Sequence, residues 1–359
     1  DAPPTQCIAR RERSMLPATT MTIAPLATLA PDDPLYALLA GEVWAHQLGI
    51  TTTPIFDVYK LDPSSTAYRY ADQVSGVAVV GKFFGNKWID GAQDGNMPLR
   101  IELMEREFAN LLHVRTLGFA SGQYQVVRPL AMAATINCVL IEDAVPGDDL
   151  VSTIHAAVYE NAGALLRTRL RLLAGWLAAL HRRSAIAKPV VPEHAFAYYD
   201  KMLNQLRGWE VIDADQQLRF ERLRDDWAAS GLLGDAQQAL VHGDATPAHF
   251  LFQGSQVTAI DLERMHTADP AADLGCVAAE LRHLLSWLKG DTWAGEPYIR
   301  HFYASYAAEV GLGKADFAAL TERCRFYMGC TELRICRNSW LDLDYRRAFL
   351  AEAEHCLAL

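Results

Sequence analysis

The chain lacks the marks of several common protein classes. Its seven cysteines include none of the CxxC pairs typical of a zinc site, so we expect reduced thiols and no structural zinc. Its apolar runs, such as residues 284–288, end long before the roughly 18 residues that a membrane span requires. A surplus of basic residues is also missing. The formal net charge is −10, which argues against a nucleic-acid-binding surface.

An export signal is not recognisable either. Residues 1–31 are rich in alanine, proline and threonine, and they contain no continuous apolar segment followed by a small-residue cleavage site. We therefore expect a cytoplasmic protein whose partners are neither a membrane nor a nucleic acid. With 359 residues, of which 51% are hydrophobic and 21% charged, the chain has an ordinary globular composition and enough length for two lobes. The sequence leaves the number of subunits open.

The first part of the chain carries strand patterns around one helix. Residues 1–50 are predicted to form an N-terminal extension with one amphipathic helix, which begins at Asp33 and Pro34 and ends near Gly49. Residues 51–145 are predicted to form an N-lobe, in which a helix over residues 97–117 accompanies an antiparallel sheet. The predicted strands cover residues 55–61, 67–71, 77–84, 124–130 and 137–142.

The second part is mainly helical. The segment 146–149, Pro-Gly-Asp-Asp, is the predicted boundary, and residues 146–359 are predicted to form a C-lobe. Apolar residues at helical spacing predict helices over residues 165–181, 198–209 and 217–229. Short strands are predicted over residues 239–241, 250–252 and 257–260, with polar turns between them. The predicted fold class is therefore α+β.

Polar residues are densest around these short strands. Asp244, His249 and Asp261 fall on loops at strand ends, where side chains can converge on one point. Two carboxylates and an imidazole can hold a divalent cation and can take or orient a hydroxyl proton. The structural alternative is that His242 and Asp244 stabilise a turn and that Asp261 caps the next segment.

This passage resembles the catalytic and metal loops of aminoglycoside phosphotransferases and related small-molecule kinases. The family pattern is His-Gly-Asp, four variable residues, Asn, a strand bearing Ile-Asp, and later Asp-Pro-x-x-Asp-Leu. The chain has His242-Gly243-Asp244, then Ile260-Asp261, then Asp269-Pro270-Ala271-Ala272-Asp273-Leu274. The resemblance implies a two-lobed protein-kinase-like fold, with a small antiparallel β-sheet N-lobe and a larger, mainly helical C-lobe that carries the catalytic and metal loops.

The resemblance also implies roles for these residues. Asp244 would be the catalytic aspartate that accepts or orients the acceptor hydroxyl, and His242 belongs to the same catalytic motif. Asp261 would bind the magnesium ion that bridges the phosphates. Glu263 is a candidate second metal contact, because it points to the same face of an extended segment. Asp273 is expected to stabilise the catalytic loop from a helix start.

One position departs from the family pattern. His249 stands where the family has Asn. A neutral imidazole can ligate a divalent ion, but magnesium prefers oxygen, so the change would shift the metal preference toward manganese or lower the activity. His249 is thus a candidate metal ligand. The alternative is that the chain is a catalytically weak, pseudokinase-like regulator that binds nucleotide without efficient transfer.

Lys82 provides a second test of the resemblance. In kinases, a lysine on a strand neutralises the nucleotide phosphates, and a glutamate on a helix holds that lysine in place. Lys82 lies in an apolar strand pattern. An ammonium inside such a strand is costly without a charged partner. Glu107 is the predicted partner, with Glu105 and Glu102 as rivals. The alternative places Lys82 on an edge strand with its ammonium in water.

Residues 76–82 also match the first part of a phosphate-binding P-loop. Phe83 replaces the Ser or Thr that would reach magnesium, and the intervening β-branched residues belong in a strand, so we exclude a P-loop. By the resemblance, backbone groups of residues 142–144, from Glu142 to Ala144, would meet the purine, and adenine or guanine remains open. Ser64, Ser65 and Thr66 either donate to phosphates or form an ordinary polar turn.

Together these features predict a phosphotransferase. The expected reaction moves the γ-phosphate of ATP (or GTP), with Mg²⁺ (or Mn²⁺), to a hydroxyl of a small molecule such as an aminoglycoside, a sugar or an amino alcohol. The last part of the chain combines aromatic and acidic residues that suit a sugar or amino-sugar, although most of the aromatics recur at a helical spacing typical of a core. These residues are Trp287, Trp293, Tyr298, Tyr303, Tyr306, Trp340 and Tyr345, with Asp291, Glu296, Asp342 and Asp344.

Overall fold

The computed structural model describes residues 24–61, 64, 66–84 and 96–359. Its contacts divide the chain into two compact units. The first unit comprises Asp1–Gly147 with Thr258–Glu263, and the second comprises Asp148–Val257 with Arg264–Leu359. The first unit carries an antiparallel sheet and the second is mainly helical, so the α+β prediction is confirmed. The predicted division of the chain into an extension and two lobes, at residues 50 and 145, stays a prediction.

A six-stranded antiparallel sheet dominates the first unit. Its strands lie in the order β1-β2-β3-β4-β7-β6. The strand β5 follows the second helix of the unit and lies outside this sheet. The strands are β1 (Ala27–Thr28), β2 (Phe56–Lys60), β3 (Ala67–Asp72), β4 (Ala78–Phe83), β5 (Tyr124–Val126), β6 (Pro129–Ala133) and β7 (Val139–Asp143).

Most strand predictions are confirmed within a residue or two. The exception is the strand expected over residues 124–130, which is two strands, β5 and β6. The chain breaks between them because Val127 donates its backbone N–H to Ala259, and because Pro129, at the start of β6, has no N–H to offer a ladder. The predicted residues Asp62, Pro63 and Ser65 of the β2–β3 turn lie outside the described residues.

Helix α1 packs on this sheet. It comprises Pro34–Ala37 and continues as a π-helical segment over Leu38–Gln47. Asp33 caps it by accepting the Leu35 backbone N–H at 2.8 Å, as Asp before Pro predicts. Leu39, Val43 and Trp44 of α1 are wholly buried, and the Trp44 ring meets Phe56 edge-on at 4.6 Å. The predicted amphipathic helix is therefore present, and its apolar face belongs to the core of the first unit.

Helix α2 (Met97–Val114) is the second helix of this unit, and one further turn extends it over Arg115–Phe119. Asn96 caps its start, and Gly118, with a φ of +93°, marks its end. The buried residues of α2 recur at steps of three and four, as on one face of a helix: Met104, Glu107, Leu111 and Val114. A glutamate in this apolar stripe needs a buried partner.

Eight further helices belong to the described part of the second unit. They are α3 (Leu150–Tyr159), α4 (Gly163–Arg183), α5 (Pro192–Gly208), α6 (Ala214–Ser230), α7 (Ala271–Lys289), α8 (Glu296–Val310), α9 (Lys314–Cys336) and α10 (Leu343–Leu357). Helices α7 and α9 pack closely because residue 275 is glycine: a Cβ there would lie 2.7 Å from the Met328 backbone nitrogen. The helix predicted over residues 198–209 begins earlier, at Pro192, where proline occupies the first turn.

Short strands are interspersed with these helices. They are β8 (Asp148–Asp149), β9 (Ile186–Pro189), β10 (Gln237–Val241), β11 (Phe250–Gln253), β12 (Gln256–Ala259) and β13 (His266–Ala268). Strand β10 lies between β9 and β13, and β11 pairs with β8. The sequence pattern does not predict β8, β9 and β13, because these strands are too short or too exposed to show a periodic spacing of apolar residues.

The structure also bears on two features of the composition, the apolar runs and the cysteines. None of the described helices is both long enough and apolar enough to cross a membrane. The cysteines from Cys138 to Cys356 are free and buried, and Cys7 lies outside the described residues.

We predict that Trp44→Ala lowers the free energy of unfolding by about 3–5 kcal/mol, because the substitution empties a wholly buried ring site. Urea denaturation of the full chain, followed by circular dichroism, measures the change. Trp209→Ala is the matched control, because 46% of Trp209 is exposed and its loss should stay within about 1 kcal/mol. Equal losses for the two variants would contradict the place of α1 in the core.

Candidate active site

Lys82 is the centre of a charged group in the first unit. It lies in β4, an interior strand between β3 and β7, so the edge-strand alternative is wrong. Lys82 Nζ lies 2.6 Å from Glu107 Oε2, 2.8 Å from Asp261 Oδ1 and 3.8 Å from Glu263 Oε2. The structure thus contains the expected ion pair with Glu107. The rival Glu102 instead lies 3.7 Å from Arg106, with 65% of its side chain exposed.

Burial controls the charge states in this group. Desolvation alone would lower the pKa of Lys82, but the surrounding carboxylates outweigh it and raise that pKa above its ordinary value. Glu107 is wholly buried, and its Oε1 finds no hydrogen-bond donor among the described residues. Burial therefore raises the pKa of Glu107 above its ordinary value, even beside the ammonium.

The turn that carries Asp261 is held by α2. Asp261 has a φ of +62°, a left-handed conformation that is strained for a residue other than glycine, typically by about 1 kcal/mol or more. Asn110 Nδ2 donates to the Leu262 carbonyl at 2.7 Å, and Arg106 Nε donates to the Glu263 carbonyl at 3.0 Å. These two bonds from one helix can hold the strained backbone that directs the Asp261 carboxylate to Lys82.

Glu142 and Ala144, the residues expected at the purine, lie on and just after β7. Glu142 is 6% exposed and lies opposite Val80 of β4. Burial first, and then the charge of Glu107, raises the pKa of Glu142 above its ordinary value. Ala144 is half-buried and follows the last residue of β7, Asp143. The purine role of these residues stays a prediction.

Three carboxylates of the first unit could hold a metal ion. Oxygen atoms of Glu107, Asp261 and Glu263 all lie within 4.8 Å of one another. Magnesium and manganese prefer oxygen ligands of this kind, so the donor set fits either ion. Sequence reasoning named Asp261 and Glu263 for this purpose and placed Glu107 only as the partner of Lys82. His249 belongs to the second unit and is not a member of this cluster.

The His-Gly-Asp segment follows β10 in the second unit. Gly243 has a φ of +78°, and a Cβ at this position would lie 2.2 Å from the Arg264 backbone oxygen. Only glycine can make this turn without moving the backbone. The close approach explains why a glycine stands between His242 and Asp244.

Asp273 holds this turn from the start of α7. Its Oδ2 accepts the His242 backbone N–H at 2.7 Å, and its Oδ1 accepts the Gly243 backbone N–H at 3.0 Å. The His181 ring nitrogen Nε2 lies 3.1 Å from Oδ2. Burial acts to raise the pKa of Asp273, but these hydrogen bonds outweigh it, and the pKa lies below its ordinary value. The expected stabilising role of Asp273 is confirmed.

The two histidines of the motif stack on each other. The rings of His242 and His249 are almost parallel, with centroids 5.8 Å apart and an angle of 5°. His242 is wholly buried, and its ring packs against Trp176 and Phe250. His249 Nδ1 lies 2.8 Å from the Asp244 backbone oxygen and can donate its proton there. His242 is therefore shielded from any ligand, whereas His249 is half-buried beside Asp244.

A half-buried arginine of α9 engages the Asp244 carboxylate. Arg334 Nη1 donates to Asp244 Oδ1, and Arg334 Nη2 donates to Glu280 Oε1 at 2.8 Å. Arg264 Nε lies 3.8 Å from Asp244 Oδ2. Burial acts to raise the pKa of Asp244, but Arg334, and after it His249 and Arg264, outweigh this effect and lower that pKa to about 2. Asp244 is therefore ionised at any physiological pH.

Sequence reasoning missed Arg334 and Glu280. Both lie inside helices, on α9 and α7, where a single charge among apolar residues is easily taken for a surface position. One signal was present: Glu280 of α7 lies between Ala279 and Leu281, and both of these apolar neighbours are buried. Only the packing of α7 against α9 shows that the two charges meet.

The aromatic residues expected near an acceptor have mixed positions. Trp287 meets Tyr345 edge-on at 4.7 Å, and Tyr345 OH lies 2.9 Å from His283 Nδ1. Tyr306 is buried against His181. Trp293 and Trp340 are more than 45% exposed, at 58% and 47%. Trp287 also meets Trp340 edge-on at 6.5 Å. The role of these aromatic residues toward a substrate stays a prediction.

We predict that Gly243→Ala destabilises the fold strongly, because the new methyl group would overlap a backbone oxygen in addition to straining φ. Gly254→Ala is the matched control: Gly254 has a φ of +58°, but nothing lies within 4 Å of an added Cβ. The free energy of unfolding should fall by about 1 kcal/mol in the control, because of φ strain. In Gly243→Ala it should fall by at least about twice as much. Urea denaturation measures both. Similar losses would contradict the steric role of Gly243.

The comparisons with known proteins agree with this geometry. A model of the phosphotransferase enzyme family matches residues 98–320. No curated protein sequence matches the chain. Several solved structures have a similar fold. The aminoglycoside phosphotransferase APH(2")-IIa, in its ternary complex with streptomycin and ATP, has a TM-score of 0.54 and 12% identity, covering 92% of this chain and 100% of that chain.

Two kinases with other substrates are similar as well. Ethanolamine kinase from Plasmodium vivax has a TM-score of 0.52 and 12% identity, covering 84% of this chain and 80% of that chain. Choline kinase LicA from Streptococcus pneumoniae has a TM-score of 0.50 and 15% identity, covering 84% of this chain and 93% of that chain. At such identities the likeness shows the fold, which is protein-kinase-like. Because the family model matches more than half of its residues, the chain belongs to the phosphotransferase enzyme family and is a small-molecule kinase.

Proposed function

We propose that the chain transfers the γ-phosphate of ATP or GTP to a hydroxyl of a small molecule. The observation that carries this proposal is the interior-strand Lys82, which is paired with the buried Glu107 and lies 2.8 Å from Asp261. An ammonium that is largely withdrawn from water among carboxylates is costly to maintain for stability alone. It is the arrangement that a phosphate-binding lysine and a metal-binding aspartate require.

The first unit supplies the groups for the nucleotide. Lys82 neutralises phosphate oxygens, and Glu107 holds its ammonium in place. Asp261 and Glu263 are the proposed ligands of a Mg²⁺ or Mn²⁺ ion, and their oxygen donors suit either one. The ion, when bound, neutralises charge on the phosphates. The backbone of residues 142–144 is proposed to receive the purine, with Glu142 buried behind it.

The second unit supplies Asp244 for the acceptor. In the reaction, the acceptor oxygen forms a bond to the γ-phosphorus while the bond from that phosphorus to the β–γ bridging oxygen breaks, and the nucleoside diphosphate leaves with the bonding electrons. Asp244 orients the acceptor hydroxyl, takes its proton and passes that proton to water. Its low pKa makes it a weak base, which suits the loose transition state of phosphoryl transfer, where the hydroxyl proton is lost late.

The two histidines of the motif have different proposed roles in the transfer reaction. His242 is wholly buried, so it acts as a positioning residue that fixes the loop through Trp176 and Phe250. His249 donates from Nδ1 to the Asp244 carbonyl, so a metal ion could be bound only through Nε2. His249 Nε2 is therefore the proposed metal-binding atom where the family has Asn. We also propose that the enzyme acts in the cytoplasm on a soluble metabolite or antibiotic, independently of nucleic acids.

Small hydroxylated molecules are the acceptors that the similar structures favour. Those structures include aminoglycoside phosphotransferase complexes with streptomycin and with gentamicin, an ethanolamine kinase and a choline kinase. Nothing in the comparisons supports the alternative of a catalytically weak regulator. The charged groups that transfer requires, Lys82, Asp244 and Asp261, are all retained.

We predict that Asp261→Asn abolishes metal-dependent nucleotide binding, whereas Asp244→Asn leaves nucleotide binding nearly unchanged and lowers turnover by at least about a thousandfold. Calorimetry with ATP and GTP, in magnesium and in manganese, measures the binding. Formation of the nucleoside diphosphate with a panel of hydroxylated acceptors measures the turnover. Both substitutions preserve size, so circular dichroism should show a normal fold.

Absence of nucleotide binding by the wild type with either metal would overturn the proposed function. Binding that Asp261→Asn leaves intact would overturn the metal role of Asp261 alone. A ratio of manganese to magnesium activity that falls in His249→Asn would support a metal contact through His249.

We predict a pH effect for Arg334→Gln. Without the guanidinium, burial would dominate and raise the pKa of Asp244 from about 2 toward or above the ordinary value of about 4. Asp244 needs its charge, so activity would be lost as the pH falls through the raised pKa. The acid limb of kcat/KM should therefore move to higher pH in the variant. Coincident acid limbs would show that Arg334 does not set the charge of Asp244.

A further inference from the structure

An open cavity lies beside Asp244, within the second unit. Its volume is about 300 Å³. We call it the arginine pocket, because three of the side chains that line it are guanidinium groups. Its lining residues are Asp244, Thr246, His249, Arg264, Glu280, Arg334, Ile335, Arg337 and Asn338. A pocket that contains the proposed catalytic aspartate is the natural place for the acceptor.

Both carboxylates of the arginine pocket are already hydrogen-bonded to a cation. Arg334 donates one nitrogen to Asp244 and the other to Glu280, so a single guanidinium engages both. Arg334 is itself only 14% exposed. A cationic acceptor, such as a polyamine sugar, would have to compete with this fixed guanidinium for the same two acids. Such an acceptor is therefore poorly served by the pocket.

The remaining charges of the lining are positive. Arg264 has 47% of its side chain exposed and lies 3.8 Å from the far oxygen of Asp244. Arg337, at the end of α9, is half-buried and donates from Nη1 to the neutral Gln205 side chain at 2.7 Å. With three arginines and two acids, the lining carries an excess of positive charge when histidine is neutral.

The charges of the three arginines also reach Tyr198 of α5. Desolvation raises the pKa of Tyr198 above its ordinary value, while Arg334, Arg264 and Arg337 each act to lower it. The three guanidinium groups thus act on one phenol. A phenolate and a bound carboxylate or phosphate are stabilised by the same positive potential.

The polarity and size of the arginine pocket further limit which acceptors it can bind. Ile335 is the apolar member of the lining, so most of the recognition must come from hydrogen bonds. A volume of about 300 Å³ lies at the low end of the range for small-molecule sites. These properties suit a compact hydroxylated anion better than a multi-ring aminoglycoside.

We propose that the acceptor is a small hydroxylated anion whose carboxylate or phosphate group binds Arg337 and Arg264. This rests on the proposed function and specifies its substrate class. The anion places one hydroxyl at Asp244. That oxygen bonds to the γ-phosphorus as the bond to the β–γ bridging oxygen breaks, the nucleoside diphosphate leaves, and the hydroxyl proton passes through Asp244 to water. The product is a phosphate ester that still carries the recognition anion.

Matched monosaccharides test the proposal by direct binding. The ligands are glucuronate, glucose 6-phosphate, glucose and glucosamine, which share one ring and differ in charge. Calorimetry on the full chain, without nucleotide, should show that at least one anionic ligand binds about tenfold or more tightly than glucose and glucosamine, as charge-assisted hydrogen bonds typically provide. The order of the two anionic ligands distinguishes a carboxylate from a phosphate site.

Two variants locate the binding. Arg337→Gln should reduce the preference for the anion about tenfold, and Arg264→Gln, at an exposed position, should reduce it in the same direction. Arg347→Gln is the control, because Arg347 is exposed and lines a different groove of the second unit. Circular dichroism checks the fold of each variant.

Three results would overturn the proposal: equal binding of all four sugars, tighter binding of glucosamine, or no binding of an anionic ligand. Retention of the preference in both Arg337→Gln and Arg264→Gln would also overturn it. Nucleotide binding is measured separately on the same wild-type protein. If the wild type binds no nucleotide, the proposed function is overturned. If it binds the anion but no nucleotide, the anion site in the arginine pocket stands and the transfer reaction is unsupported.

Discussion

The ammonium of Lys82 is the constraint on which the first unit depends. It lies in an interior strand with only 14% of its side chain exposed, so protein carboxylates must meet most of its charge. Glu107 can reach it only if α2 packs on the sheet, and Asp261 only if its turn adopts a left-handed backbone conformation. The fold of the unit and the geometry of its charged group therefore require each other.

The second unit relies on a similar arrangement with the signs reversed. Its half-buried carboxylates, Asp244 and Glu280, share one arginine from α9, and Asp273 fixes the turn that presents Asp244. Asp244, Glu280 and Asp273 each have an opposite charge or several hydrogen-bond donors as partners. This pairing keeps Asp244 ionised and limits its movement, which are the two properties that an aspartate needs to orient a hydroxyl.

Much of this could be predicted from particular residues. The apolar run in residues 77–84 predicted β4, and Asp33 with Pro34 predicted the start of α1. A lysine inside an apolar strand and a glutamate inside an apolar helical stripe could be paired, because neither charge is stable alone. Elements with few apolar residues, such as β9 and β13, left no such signal.

The sequence by itself determined the element types, the His-Gly-Asp turn and the residues whose charges demand partners, because these follow from local periodicity and from the cost of burying a charge. Only the tertiary structure decided that Arg334 links Asp244 to Glu280, that Glu107 joins the metal-capable carboxylates, and that three arginines line the arginine pocket. These contacts join residues far apart in the chain. Helix packing brings them together, and a one-dimensional pattern does not encode which helix faces meet.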